Sequence, residues 1–247
     1  MIRQGDAVYT EYLKACAKTR WSEELWALTV AFLEGEGFAR ISYHHMPPLG
    51  APDAGRVRVV THGFPQEWVQ DYIREKLFRK DPIPAQAVAS YAPFRWSEVE
   101  SLRTLTRSES DFLSRMAQAG LGDGLAVQVF GPGGRNGYFG LGFGAGDPPD
   151  VPTDALLKYQ AGLQLAHLRY CHILAETLPP APALSERERE LLQWVALGKS
   201  NSVIADLMGI SPHTVDAYMR RVFLKLGTSD RVSAAIRGLG SALIRDF

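Results

Sequence analysis

Trp68 and Tyr72 stand four residues apart, so a helix would place them on one face, and Asp81-Pro82 follows just past that helix's end. An indole N–H only donates and an ionised carboxylate only accepts. With Phe64 ahead of them and Trp96 behind, these residues suit a small-molecule pocket, apolar with a few placed polar groups. Aromatics at this spacing also serve as plain core, and spacing alone leaves both readings open. A second group lies near the other end of the chain. His213, Thr214, Asp216, Ala217, Arg220, Arg221 and Lys225 share the outer side of a helical stretch whose inner side is Val215, Met219, Val222, Phe223 and Leu226. Cations beside a few short polar side chains suit the phosphates and base edges of double-stranded DNA.

The second group needs a helix-turn-helix to present it. Ser185 and Glu188 form a capping box that starts one helix, and Gly198 follows its last periodic residue. A short helix after Ser200 ends at Gly209, and Ser211-Pro212 supplies an N-cap and a proline at the first position of a third helix running to about Leu226. Ser229-Asp230 caps a fourth, which carries Val232, Ala235, Ile236 and Leu239. The segment 178–183 holds three prolines in six residues and reads as a stiff linker. Residues 1–177 then form one domain and 184–247 another.

The first domain opens with helical patterns at 7–17 and 23–36, followed by strands at 38–46 and 56–62 and a helix at 65–79. Residues 125–131 and 137–144 read as a hairpin about a glycine-rich turn containing Asn136-Gly137, and a helix over 153–176 ends the domain. The expected fold is α+β, an N-terminal α/β/α sandwich on an antiparallel sheet with a C-terminal all-α four-helix helix-turn-helix domain. Gly140, Gly142 and Gly144 recur with period two, leaving one face of their strand bare while Phe139, Leu141 and Phe143 fill the other.

The wording of the C-terminal segment is more specific than its pattern. Leu184-Ser-Glu-Arg-Glu188, Gly198-Lys-Ser-Asn201, Ile204-Ala205, Ile210-Ser211, Thr214-Val215, Lys225-Leu226-Gly227 and Arg231 resemble the DNA-binding domain of LuxR-type transcription regulators. The resemblance implies that the third helix reads DNA, with Lys199 and Ser200 also at the interface, and that the fourth helps two domains pair on a two-fold symmetric site. Tyr218 departs from the histidine usual in the family. Trp68, Tyr72, Asp81-Pro82, Trp96 and Gly124 resemble the ligand-binding domain of the same quorum-sensing regulators. By that resemblance Trp68 donates to the ring carbonyl of an acyl-homoserine lactone, Asp81 accepts its amide N–H, and Tyr72 and Trp96 form walls.

Two departures bear on the ligand. Phe64 stands where the family has a tyrosine, and Gly140 where it often has serine or threonine, so two hydroxyls that bind the acyl carbonyl are missing. A lost hydrogen bond of this kind costs about 1–3 kcal/mol. The pocket then takes a bulkier acyl group, holds a different ligand, or has collapsed and needs none.

The chain of 247 residues has zero formal net charge. From residue 179 onward 9 Lys and Arg stand against 7 Asp and Glu, so the small basic excess sits in the DNA-reading half and favours two heads acting together as a homodimer. On the helix over 153–176, Leu165 and Leu168 are left over from the core face and suit that homodimer. No stretch reaches membrane-span length and no leader pattern opens the chain, which points to the cytoplasm and to no membrane partner. Cys16 and Cys171 read as buried reduced thiols with no metal partner, and His44-His45 point to opposite faces of a strand and cannot share an ion. Residues 131–137 are a turn rather than a phosphate cradle. No nucleophile with a base is found, so neither an enzyme nor a cofactor nor a metal is expected, only a small-molecule ligand.

Overall fold

The computed structural model describes residues 4–55 and 58–244, and contacts divide the chain into two units. One is Met1–Met46 with Arg58–Glu176, the other Pro47–Val57 with Thr177–Phe247.

The first unit is built on a five-stranded antiparallel sheet in the order β2-β1-β5-β4-β3. The strands are β1 (Arg40–Met46), β2 (Arg58–His62), β3 (Phe94–Arg95), β4 (Gly124–Val129) and β5 (Asn136–Gly142). Arg56 and Val57, the predicted start of β2, lie outside the described residues. Helices α1 (Gln4–Lys18), α2 (Ser22–Gly35) and α7 (Thr153–Thr177) cover one face. There Tyr43 packs on Phe139 of the neighbouring strand and meets Tyr170 edge-on, Tyr12 stacks on Phe32, and Tyr159 meets Phe38 edge-on. Helices α3 (Gln66–Arg74), α4 (Pro82–Ala89), α5 (Val99–Leu102) and α6 (Arg107–Gln118) cover the other, where Ile83, Ala87, Val99, Leu113 and Met116 pack on Ala126 and Tyr138. The expected sandwich is therefore present.

Details of this unit differ from expectation. The helix expected over 65–79 breaks after Arg74, with Lys76 in the left-handed region and one 3-10 turn at Leu77–Arg79. The hairpin turns at residues 130–135, where Gly133 and Gly134 take positive φ, so Asn136-Gly137 is already strand. Glycine adopts positive φ at little cost, and two successive glycines outcompete Asn-Gly for the turn.

In the second unit the four helices are α8 (Glu186–Ala196), α9 (Asn201–Met208), α10 (Pro212–Leu226) and α11 (Arg231–Gly240). Each start is capped as expected: Ser185, Ser200, Ser211 and Asp230 accept from the amides of Glu188, Val203, Thr214 and Ser233. Gly209 and Gly227 end α9 and α10 in the left-handed conformation. Leu191, Leu192, Ile204, Val215, Val222 and Ala234 form the dry centre. Residues 47–57, the connection between β1 and β2, group with this unit, and a Cβ on Gly50 would lie 2.2 Å from the Ile236 carbonyl oxygen. No described helix is long and apolar enough to cross a membrane.

Candidate functional site

Asp81 has two roles set by its backbone. It is the N-cap of α4, its Oδ1 accepting from the Ile83 amide at 2.9 Å, with Pro82 at the first helical position. Oδ2 accepts from the Tyr72 hydroxyl at 2.9 Å. The residue as a whole is half-buried, yet the carboxylate is turned inward, and this desolvation pushes its pKa up to about 6 against the two hydrogen bonds. Burial and the neighbouring carboxylate raise the Tyr72 phenol as well, so it remains a donor.

The structure brings Tyr72 and Trp68 together on α3, both packed on Phe112 of α6, with ring centroids 6.2 and 6.0 Å away. Arg115, one turn on, holds the same pair of helices through Asp71 at 2.8 Å and Glu75 at 2.5 Å. Phe64 packs on the cluster of Ile83, Phe94, Trp96 and Tyr138. The sequence reading passed over α6, although Thr106 and Glu109 form a capping box.

Gly140 lies on the floor of this cluster, but the room that its bare face implies is taken. The Trp96 indole rests on three glycines of two strands: a Cβ would approach it to 2.8 Å from Gly124, 3.0 Å from Gly142 and 3.4 Å from Gly140. Trp96 is 5% exposed and its Nε1 has no hydrogen-bond partner. Two more residues of the floor were missed in the sequence. Ser42 pairs with Gly140 across β1 and β5, and its Oγ lies 2.6 Å from where a Gly140 Cβ would stand. Tyr138, two residues before Gly140, stacks on His44 and shares a 3.1 Å hydrogen bond with its Nε2. His44 is pushed down to about 3 by burial, so the imidazole is neutral. Strand alternation was the available signal, since Ser42, Tyr138 and Gly140 share a face once the register is known.

On the opposite face of the sheet, His45, His167 and Cys171 are all buried and their ligating atoms lie within 4.8 Å of one another. His44 and His45 do point apart as expected. The expectation that Cys171 has no partner is corrected: His167 precedes it by one helical turn, a spacing visible in the sequence.

In the second unit His213, Asp216, Arg220 and Arg221 are exposed along α10, with Thr214 and Ala217 half-buried between them, and Lys199 and Ser200 are exposed at the entry to α9. Arg220 has no ion-pair partner among the described residues, whereas Arg221 lies 4.4 Å over the Tyr218 ring. Asp216 accepts from Asn201 at 2.7 Å, which fixes α9 against α10. Lys225 differs from its expected phosphate role. Its ammonium donates to the buried Glu188 at 2.6 Å and to the Ala183 carbonyl at 2.9 Å, so it holds the capping box of α8. Arg237 likewise donates to the Leu226 carbonyl at 2.6 Å, and Arg231 donates to that of Lys199.

Fold and site thus define a two-part regulator, an α+β domain joined to a DNA-reading helix-turn-helix. The autoinducer binding domain matches residues 22–170, and the luxR family of bacterial regulatory proteins matches residues 182–237. The transcriptional activator protein AhyR of Aeromonas hydrophila is 26% identical over 239 residues, covering 95% of this chain and 91% of that protein. The transcriptional activator protein LuxR of Aliivibrio fischeri is 24% identical over 185 residues, 73% of this chain and 72% of that one. The crystal structure of Escherichia coli SdiA shares the fold at a TM-score of 0.74, with 19% identity over 97% of this chain and 99% of that chain. The chain belongs to the LuxR family of quorum-sensing transcription regulators and is a ligand-responsive, DNA-binding member of it.

Proposed function

We propose that the signal is an acyl-homoserine lactone, and that the chain acts as a homodimer on a two-fold symmetric DNA site. The observation that carries the ligand reading is the polarity of this cluster. Asp81 turns a carboxylate, an acceptor only, into an apolar cluster where the Trp96 N–H, a donor only, is buried without a partner. A molecule offering one amide N–H and carbonyl oxygens on an apolar chain complements both. Ser42 and Tyr138 then supply the hydroxyls that Phe64 and Gly140 lack. Trp68 and Tyr72 wall the site on Phe112.

The test is thermal unfolding of the full chain with a panel of acyl-homoserine lactones that includes aryl and branched acyl forms. A hundredfold excess over the dissociation constant stabilises by about 2.7 kcal/mol, a shift of several degrees. Asp81→Asn keeps an oxygen for the α4 cap but loses the charge, and its lactone affinity is expected to drop by about 5- to 150-fold. An unchanged response in Asp81→Asn, or no response of the folded wild type to any lactone, overturns the reading in favour of another signal.

A further inference from the structure

We propose that His45, His167 and Cys171 form a metal site for a thiophilic d10 ion, zinc(II) or copper(I), on the sheet face away from the ligand pocket. One thiol and two imidazoles are the donor set such ions select. They come from two elements, His45 from the end of β1 and the other two from successive turns of α7. All are buried, at 1%, 0% and 3% exposure.

Two of the three donors are already spaced for an ion. His167 Nε2 and Cys171 Sγ are 3.5 Å apart. Nitrogen at about 2.0 Å and sulfur at about 2.3 Å from a tetrahedral ion stand roughly 3.5 Å from each other, so this pair is already spaced for an ion between them. The three ligating atoms lie within 4.8 Å, which leaves His45 to close by at most about 1.5 Å. The glycine turn after β4 seals one side: a Cβ on Gly131 would lie 2.8 Å from His167 Nε2 and 3.0 Å from Cys171 Sγ. On the other side a cavity of about 160 Å³, bounded by Trp26, Thr29, Tyr43, His167 and Tyr170, reaches the His167 imidazole.

Protons have defined places throughout. Without the ion, His167 Nε2 lies 2.7 Å from the Arg135 carbonyl, which cannot donate, so Nε2 carries the proton and Nδ1 accepts from the Tyr43 hydroxyl at 2.8 Å. On binding, the ring proton moves to Nδ1 and is donated to the Tyr43 oxygen, as ligating histidines commonly do to a neighbouring acceptor. The ion takes the place of the Nε2 proton, the Arg135 carbonyl that now lies 2.7 Å from Nε2 becomes a ligand or moves aside, and the Cys171 thiol releases its proton to solvent. The ion then ties β1 to the middle of α7.

The experiment is cobalt(II) titration of the purified full chain, followed by displacement with zinc(II) and with copper(I). One equivalent of cobalt and a thiolate-to-cobalt charge-transfer band are expected, and both zinc(II) and copper(I) should displace the cobalt and abolish the band. The band should persist in Cys16→Ala and in His172→Gln, whose imidazole is exposed on the same helix, and vanish in Cys171→Ser. His45→Gln, a second variant should Cys171→Ser fail to fold, is expected to weaken cobalt binding at least tenfold. No band in the wild type, or a band lost in Cys16→Ala but kept in Cys171→Ser, overturns the proposal and leaves the cluster a hydrogen-bonded part of the core.

Discussion

At the scale of single residues, Asp81 shows how one side chain serves folding and recognition together. Its carboxyl, at about 6, lies above its ordinary 3.8. The folded chain therefore binds a proton more readily between roughly pH 4 and 6, so this group's stabilising contribution is full below pH 4 and lost as pH rises to 6. Binding of an amide N–H runs the other way, because it needs the ionised form. Lactone affinity should rise by up to tenfold per pH unit as pH climbs toward about 6 and level off above it, and titration calorimetry across pH 5 to 8 checks this. Asp81→Asn should give a flat profile. The sequence displayed Asp81, Trp68 and Tyr72 plainly, because the helical period and the Asp-Pro cap are local. Ser42 and the His45–His167–Cys171 cluster stayed hidden, because only strand pairing and helix docking bring them to their partners.

At the scale of elements, the recognition helix divides its cations by task. Arg220 is exposed and has no ion-pair partner among the described residues, whereas Lys225 reaches back to Glu188, which is 2% exposed. Arg220→Ala should leave stability within about 0.5 kcal/mol of wild type, weaken DNA binding uniformly across sequences, and reduce the salt slope of binding by about one. Lys225→Met should cost about 1–3 kcal/mol in denaturant unfolding, because the Glu188 carboxylate is left without its cation. Equal losses of stability in the two variants would refute this division. The helix-turn-helix was legible almost to the residue, since Ser185, Ser200, Ser211 and Asp230 cap within their own turns and Gly209 and Gly227 stop what those caps start. The first domain was less so. Helix α4 was read only as Asp81-Pro82, α6 was overlooked despite its capping box, and the hairpin turn, read over 131–137, closes before Asn136, which already begins β5.

At the scale of the whole molecule, the proposed pairing of two chains suits the charge, since a +2 head binds DNA weakly alone. Leu157 and Leu168 are 63% and 43% exposed on α7, and Val232 and Leu239 are 64% and 47% exposed on α11. Leu168→Glu should dissociate the homodimer in sedimentation experiments and weaken operator binding, with the fold of each chain unchanged. The glycine floor under Trp96 also governs time. With the indole seated on Gly124, Gly140 and Gly142, a ligand using that floor must wait for the ring to lift. Association should then be gated, with a rate constant below about 10⁵ M⁻¹s⁻¹ that saturates with ligand concentration in stopped-flow traces. Dissociation would be slow for the same reason, and the regulator would hold its signal after the surrounding concentration has fallen.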